Sequence, residues 1–351
     1  MKTKGNIMII AGARPNFMKV APLCHELKRL KIPYSLVNTG QHFTREMSDD
    51  LLKEFGVKPH YTINPPHTSA VAQFSVIVAE LGKIFEKEKP SFVLVVGDVN
   101  STLAGAIVAN KMGIPLAHIE AGLRSFNRKM PEEINRIIVD QISDILFVTE
   151  ENGVENLMKE KVNGKVYFVG NIMIDTLKMF LPEVQKTNEE FYFCTLHRAE
   201  NVDDKERFMG ILDALEIIAK DNQIYLPLHP RTEKMAKRFM LMTRMKKIFS
   251  LLPPLSYKES LFYQKNAKLV LTDSGGVQEE TSFLGTPCIT LREETERPIT
   301  VTHGTNVVAG ARKAGILKVY AKCKLSKQKT ALPLWDGKTA KRILRIITNF
   351  K

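Results

Sequence analysis

Phe92-Val93-Leu94-Val95-Val96-Gly97-Asp98 is the stretch that decides the fold: an apolar, mostly β-branched run, a glycine, then an acid. The form repeats at residues 114–117, which lead into His118-Ile119-Glu120, and Pro131-Glu132-Glu133-Ile134-Asn135-Arg136 then opens a helix. Short apolar runs ending in acids are what an open parallel sheet looks like when ligands bind beyond the carboxyl ends of its strands. One Asp at a strand end is more often a cap or turn former. Three carboxylates, Asp98, Glu120 and Glu132, each behind strand or turn signals, point instead to acid/base chemistry in one crevice. No Cys or His pattern stands near them, so no metal is expected.

Working outward, the first half of the chain alternates. Strand-like runs fall at Ile7–Ala11, Tyr34–Asn38, Phe92–Val96, 115–118, 145–149 and 166–169, with helical patterns between them at 19–30, 72–88 and 103–112. Alternating β and α elements predict a parallel sheet with right-handed crossovers. A second alternating series starts at 191–196 and continues at 224–228, Leu269–Thr272 and 287–291. The expected fold class is α/β: two doubly wound Rossmann-like domains, residues 1–170 and 171–333, facing a cleft and joined near residues 170–190. A helix at 338–349, within a closing segment 334–351, is expected to cross back to the first domain.

At 351 residues the chain is too long for one ordinary core, so two domains are the natural division. Hydrophobic content of 44% and charged content of 25% match a soluble globular protein. The opening run is too short and wrongly flanked for a signal peptide, and no apolar stretch reaches membrane-spanning length. Cys24, Cys194, Cys288 and Cys323 are far apart and sit on or near apolar segments, which reads as buried thiols in a reducing cytoplasm. The net charge of +13 invites a nucleic-acid reading, but the basic residues scatter along helices without aromatics at stacking intervals. No nucleic-acid or membrane partner is expected; the excess of cations suits an anionic small substrate.

In the second half, Thr272-Asp273-Ser274-Gly275-Gly276-Val277-Gln278-Glu279-Glu280 runs from a strand through two glycines into a helix. Free N–H groups at that helix start form a ready anion site, with Glu280 placed to accept from a ribose diol. A Gly-rich turn with an N-cap at Ser274 is the plainer alternative. The stretch is neither a Walker loop nor GxGxxG, so neither ATP nor NAD is indicated, and no cofactor is expected. His197-Arg198 follows another strand and suits a departing phosphate or diphosphate, since imidazole titrates near neutrality and guanidinium grips phosphate in a fork. His229-Pro230-Arg231 repeats the arrangement one strand later. Gly12-Ala13-Arg14-Pro15 follows the opening strand, and Lys19 lies about a turn into the next helix. Arg297, between Glu296 and Pro298, reads as a side chain in a fixed orientation, with a surface ion pair as the alternative.

Taken together, Gly12-Ala13-Arg14-Pro15 with Lys19, Thr39-Gly40-Gln41-His42, Gly97-Asp98, His118-Ile119-Glu120-Ala121-Gly122-Leu123-Arg124, Pro131 to Arg136, His197-Arg198-Ala199-Glu200-Asn201, Asp273 to Glu280 and Glu296-Arg297-Pro298 closely resemble the non-hydrolysing UDP-N-acetylglucosamine 2-epimerases. These segments run in order through nearly the whole chain. The resemblance implies a glycosyltransferase-B type fold and interconversion of UDP-GlcNAc and UDP-ManNAc, with UDP eliminated and added back across a 2-acetamidoglucal. It implies that Asp98, Glu120 and Glu132 are catalytic, that His197 assists, and that Arg14, Lys19, Ser274, Gly275, Gly276, Glu280 and Arg297 hold UDP. The expected partner is a UDP-N-acetylhexosamine, and the expected assembly a homodimer. Bacterial members carry a second, activating UDP-GlcNAc site, matched here by Gln41, His42, Glu133, Arg198 and His229. The chain departs from that pattern at Thr44 and at Pro65-Pro66-His67-Thr68. Relatives acting on UDP-2,3-diacetamido-glucuronic acid are the nearest rival, and a non-catalytic nucleotide-sugar sensor the rival of a different class.

Overall fold

A computed structural model of the chain describes residues 5–40, 52–66, 69–323 and 331–350; the side chain of Arg14 also falls outside that description. The chain divides into two compact units, Met1–Thr176 with Pro333–Lys351, and Leu177–Leu332.

The first unit is built on strands β1 (Ile7–Ala11), β2 (Tyr34–Asn38), β3 (Tyr61–Thr62), β4 (Phe92–Val96), β5 (Leu116–Ala121), β6 (Ile145–Val148) and β7 (Lys165–Phe168). They form one sheet in the order β3-β2-β1-β4-β5-β6-β7, and every pairing is parallel. Strand order reverses between β1 and β4, which places a topological switch point at the carboxyl ends of those two strands. β1 and β4 are apolar at every position because helices cover both faces; Met8, Ile10, Val93 and Val95 pack with Ile77, Leu81 and Phe85 of the helix Ala70–Glu88. Gly105 lets the helix Asn100–Lys111 lie close on the sheet: a Cβ there would stand 3.0 Å from Ile10 and Val95. The helix Thr339–Ile347 belongs to this unit, and Asp175 caps it by accepting from Thr339 N (3.0 Å) and Ala340 N (2.8 Å).

The second unit carries β8 (Tyr192–Thr195), β9 (Ile224–Pro227), β10 (Phe249–Leu252), β11 (Leu269–Thr272), β12 (Cys288–Thr290) and β13 (Asn306–Val308). Their order, β10-β9-β8-β11-β12-β13, is again all parallel and reverses between β8 and β11. Both units are therefore doubly wound, as the alternation of elements predicts. Three strands escape the sequence reading, β3, β10 and β13, and each is a sheet edge of two to four residues. None of the three, Tyr61-Thr62, Phe249-Ser250-Leu251-Leu252 and Asn306-Val307-Val308, is the continuous apolar run that marks a strand buried on both faces. Among the described residues no helix is long and apolar enough to cross a membrane. Cys24, Cys194 and Cys288 are buried thiols; Cys323 departs from expectation in being only half-buried.

Candidate active site

In the first unit the switch point is crowded with polar groups. Asn16, just inside the helix Arg14–Leu30, accepts on Oδ1 from Ala13 N (3.1 Å) and donates from Nδ2 to Val96 O (3.1 Å), so one amide ties the end of β1 to the end of β4. Gly12 is required there, because a Cβ would sit 2.0 Å from Ser101 Oγ and 2.1 Å from Thr39 Oγ1. One residue past β4, Gly97 turns at φ +72° and Asp98 follows, half-buried.

Asp98 is gripped by the helix Pro131–Ile142. Arg136 forms an ion pair with its carboxylate, and Asn135 Nδ2 donates to its carbonyl (2.9 Å). The Arg136 side chain is 1% exposed and that of Asp98 24%, so the cation is buried while the acid keeps a face to solvent. Glu120 is almost wholly buried and pairs with Lys19, also buried. The sequence reading ends the strand at residue 118 and puts Glu120 beyond it. β5 instead continues to Ala121, with its register against β6 slipping between Ile119 and Ala121. Glu120 sits in that slip at φ +74°, a left-handed conformation that costs a non-glycine residue on the order of 1 kcal/mol or more. The slip redirects a side chain that regular pleating would hold elsewhere.

Glu132 is half-buried on the first turn of its helix and has no side-chain hydrogen bond or ion pair among the described residues. Its neighbour Glu133 is the residue that the resemblance associates with the activating site. Its carboxylate turns inward and accepts from Ser125 N (2.8 Å), Ser125 Oγ (3.0 Å) and Phe126 N (3.1 Å), clamping the loop after β5. Gln41 and His42 lie outside the described residues. A cavity of about 590 Å³ beside β7, lined by Lys165, Tyr167, Arg342, Arg345 and Phe350 among others, contains none of these acids.

In the second unit Asp273, fully buried at the end of β11, organises the switch point. It accepts from His197 N (3.0 Å) and Arg198 N (2.8 Å), and its Oδ1 lies 3.1 Å from His197 Nδ1. Burial alone would raise its pKa, but the His197 ring and these N–H donors hold it below the usual carboxylate range. His197 therefore has one ring nitrogen committed to Asp273 in a ring that stays partly exposed, with the His229 ring 5.3 Å away. Arg198 is half-buried with Nε unpartnered, and His229 is an exposed N-cap accepting from Arg231 N (3.2 Å).

Ser274, Gly275 and Gly276 are half-exposed at the start of the helix Gly275–Leu284, where the Ser274 hydroxyl makes no cap bond, so the first-turn N–H groups are open to an anion. Glu280 is buried deeper, accepting from Tyr257 Oη (2.8 Å) and Gln264 Nε2 (2.7 Å). Arg297 has the fixed orientation expected of it, donating from Nε to Glu279 (2.7 Å), while the adjacent Glu296 pairs with Arg292. Asn16, Arg136, Asp273 and Glu279 are among the residues that sequence reasoning left without a role. A strand-end Asp before a Gly pair was the available signal for Asp273; for Asn16 and Glu279 there was none.

A family model described as UDP-N-acetylglucosamine 2-epimerase matches residues 25–348. The UDP-N-acetylglucosamine 2-epimerase of Methanocaldococcus jannaschii is 40% identical over 360 residues, covering 97% of this chain and 98% of that protein. The UDP-2,3-diacetamido-2,3-dideoxy-D-glucuronate 2-epimerase of Pseudomonas aeruginosa is 41% identical over 323 residues, 89% of this chain and 90% of that one. A crystal structure of the M. jannaschii enzyme in complex with UDP-GlcNAc and UDP aligns with a TM-score of 0.91 at 39% identity, over 98% of this chain and 99% of the other. With motifs, fold and sequence matching over nearly its whole length, the chain belongs to the UDP-N-acetylglucosamine 2-epimerase family, enzymes of the glycosyltransferase-B type of fold.

Proposed function

We propose that the protein interconverts UDP-GlcNAc and UDP-ManNAc by removing and returning the proton at carbon 2 while UDP leaves carbon 1 and comes back. The observation that carries this reading is the pair of acids at the ends of adjacent strands, Asp98 after β4 and Glu120 in β5, each opposed by a buried cation. In the elimination, one carboxylate takes the carbon-2 proton, the C1–O bond breaks towards UDP, and a C1–C2 double bond forms. In the return step a proton reaches the opposite face of carbon 2 and UDP re-adds at carbon 1. Two acids on different faces are what such an inversion requires. Glu132 is the third acid, and its lack of a partner among the described residues suits it to exchange protons or bind the sugar.

UDP leaves as an anion and must be retained for re-addition. Lys19 and Arg14 in the first unit, and Ser274, Gly275, Gly276 and Arg297 in the second, are assigned to the diphosphate, with Glu280 at the ribose. Open N–H groups at the helix start and a pre-oriented guanidinium support that assignment. His197, oriented by Asp273, presents its free ring nitrogen to an oxygen of the sugar or diphosphate.

A second reading keeps the mechanism and changes the sugar. The Pseudomonas relative acts, by its name, on UDP-2,3-diacetamido-2,3-dideoxy-D-glucuronate, and the +13 charge is compatible with an additional substrate carboxylate. Parallel incubations with the two nucleotide sugars, followed by the anomeric proton signals, separate the readings: faster turnover of the diacetamido-uronate replaces UDP-GlcNAc as substrate. Four free cysteines suit a reducing cytoplasm, and light scattering tests the homodimer.

A further inference from the structure

Behind the strand ends that carry Asp98 and Glu120 lies a buried group of charges to which the reaction scheme gives no role. His118, inside β5, is 0% exposed. Its Nδ1 lies 2.7 Å from Asp140 Oδ1, and its Nε2 lies 2.7 Å from the carbonyl oxygen of Gly97. The other oxygen of Asp140 accepts from Gly122 N (3.1 Å) and pairs with Arg124 Nη2 (2.7 Å). Arg124 continues to Glu160 through two bonds, of 2.8 and 2.6 Å.

The hydrogens follow from the acceptors. A carbonyl oxygen can only accept, so Nε2 carries a hydrogen. Asp140 is ionised: burial would raise its pKa, yet His118 and Arg124 hold it below the usual carboxylate range. An ionised carboxylate also only accepts, so Nδ1 carries a hydrogen as well. With a hydrogen on each nitrogen, the ring donates on both sides. Its charge and that of Arg124 balance Asp140 and Glu160, as a buried group of charges requires.

We propose that His118 is a positioning residue for this reaction, its two N–H groups fixing the end of β4, which presents Asp98, against the end of β5, which presents Glu120. The carbonyl it holds belongs to the peptide from which Asp98 springs. A second tie runs beside it, from Gly97 N to Ile119 O (3.0 Å). Glu120 lies in the left-handed region at φ +74°, backbone that a non-glycine residue keeps only where the surroundings over-determine it, while Gly97 takes φ +72° as glycine readily does. On the far side, Asp140 holds Gly122, which follows Glu120 by two residues and is itself at φ +79°. One imidazole thus sets the spacing of two acids that must work on opposite faces of a single carbon, and an error of about 1 Å there costs on the order of a hundredfold in rate.

The inference rests on the acid/base reading above, and its test keeps the two apart. In His118→Gln, kcat should fall about a hundredfold. KM and the UDP dissociation constant should stay within about threefold, with full calorimetric stoichiometry, so that unfolding cannot account for the loss. Asp140→Asn, nearly isosteric, should show the same split and serves if the first variant does not fold. Nitrogen-15 NMR of the wild-type imidazole should find both ring nitrogens protonated. Wild-type turnover with variants retaining kcat within about threefold, or a ring bearing a single N–H, overturns the positioning role alone. A wild-type protein that epimerises no nucleotide sugar overturns the acid/base reading and this inference with it.

Discussion

Lys19 and Arg136 set a buried cation against each of two acids, and that pairing sets what each substitution will do. Asp98→Asn and Glu120→Gln should both keep UDP affinity within a few-fold and lower turnover by about two orders of magnitude or more, the usual loss for an acid/base group. Both variants strand a buried cation, Lys19 (8% exposed) in Glu120→Gln and Arg136 (1% exposed) in Asp98→Asn, and each should cost roughly 3 kcal/mol. Rates normalised to UDP-binding stoichiometry, beside denaturant midpoints, check both statements; a Glu120→Gln protein with wild-type turnover would remove Glu120 from the chemistry. Arg297 is argued in the opposite sense. Held by Glu279 at 2.7 Å and aimed by the helix it caps, it should contribute to binding and not to proton transfer. Arg297→Ala should weaken UDP by about 1.5–3 kcal/mol in calorimetry, and unchanged affinity would leave it a purely structural ion pair.

At the scale of strands and helices, the apolar runs ending in acids made both sheets legible, because strands buried on two faces read as continuous hydrophobic stretches. The edges β3, β10 and β13 did not, because polar residues interrupt or open their apolar runs. Asp98 was legible as a strand-end acid. The twist that aims Glu120 was not, since a register slip is decided by pairing with β6 and leaves no mark in the residue order. Nor was the inward turn of Glu133, which depends on where the loop at Ser125 and Phe126 passes. Asp273 yields a prediction at this scale, because it fastens the end of β11 to the turn after β8. Its pKa is depressed in the folded protein, so its contribution is present above the ordinary carboxylate value of about 3.9 and is lost as pH falls through the depressed one. Wild-type stability should therefore drop on acidification below about pH 4, and Asp273→Asn should start lower and fall less over that window. Parallel acid limbs in urea titrations of the two proteins would show that this carboxylate is not what the acid attacks.

For the whole molecule, the residues assigned to the reaction divide between the units: Asp98, Glu120, Glu132 and Lys19 in the first, His197, Ser274, Glu280 and Arg297 in the second. The thiols report on the integrity of both. Burial pushes Cys24 and Cys288 up to about 12 and raises Cys194 further, while Cys323 is raised but half-buried. A chromogenic disulfide reagent should label Cys323 first and the others only as the protein unfolds; rapid native labelling of Cys194 would contradict the packing of the second unit. The central claim is that the sugar is inverted by proton exchange at carbon 2 while UDP leaves and returns. Incubation with UDP-GlcNAc in heavy water, followed by proton NMR, tests it most directly. The account predicts that the carbon-2 proton signal disappears as UDP-ManNAc accumulates, with no nicotinamide added. Epimer formed with the original proton retained at carbon 2, or formed only when NAD is supplied, would contradict it.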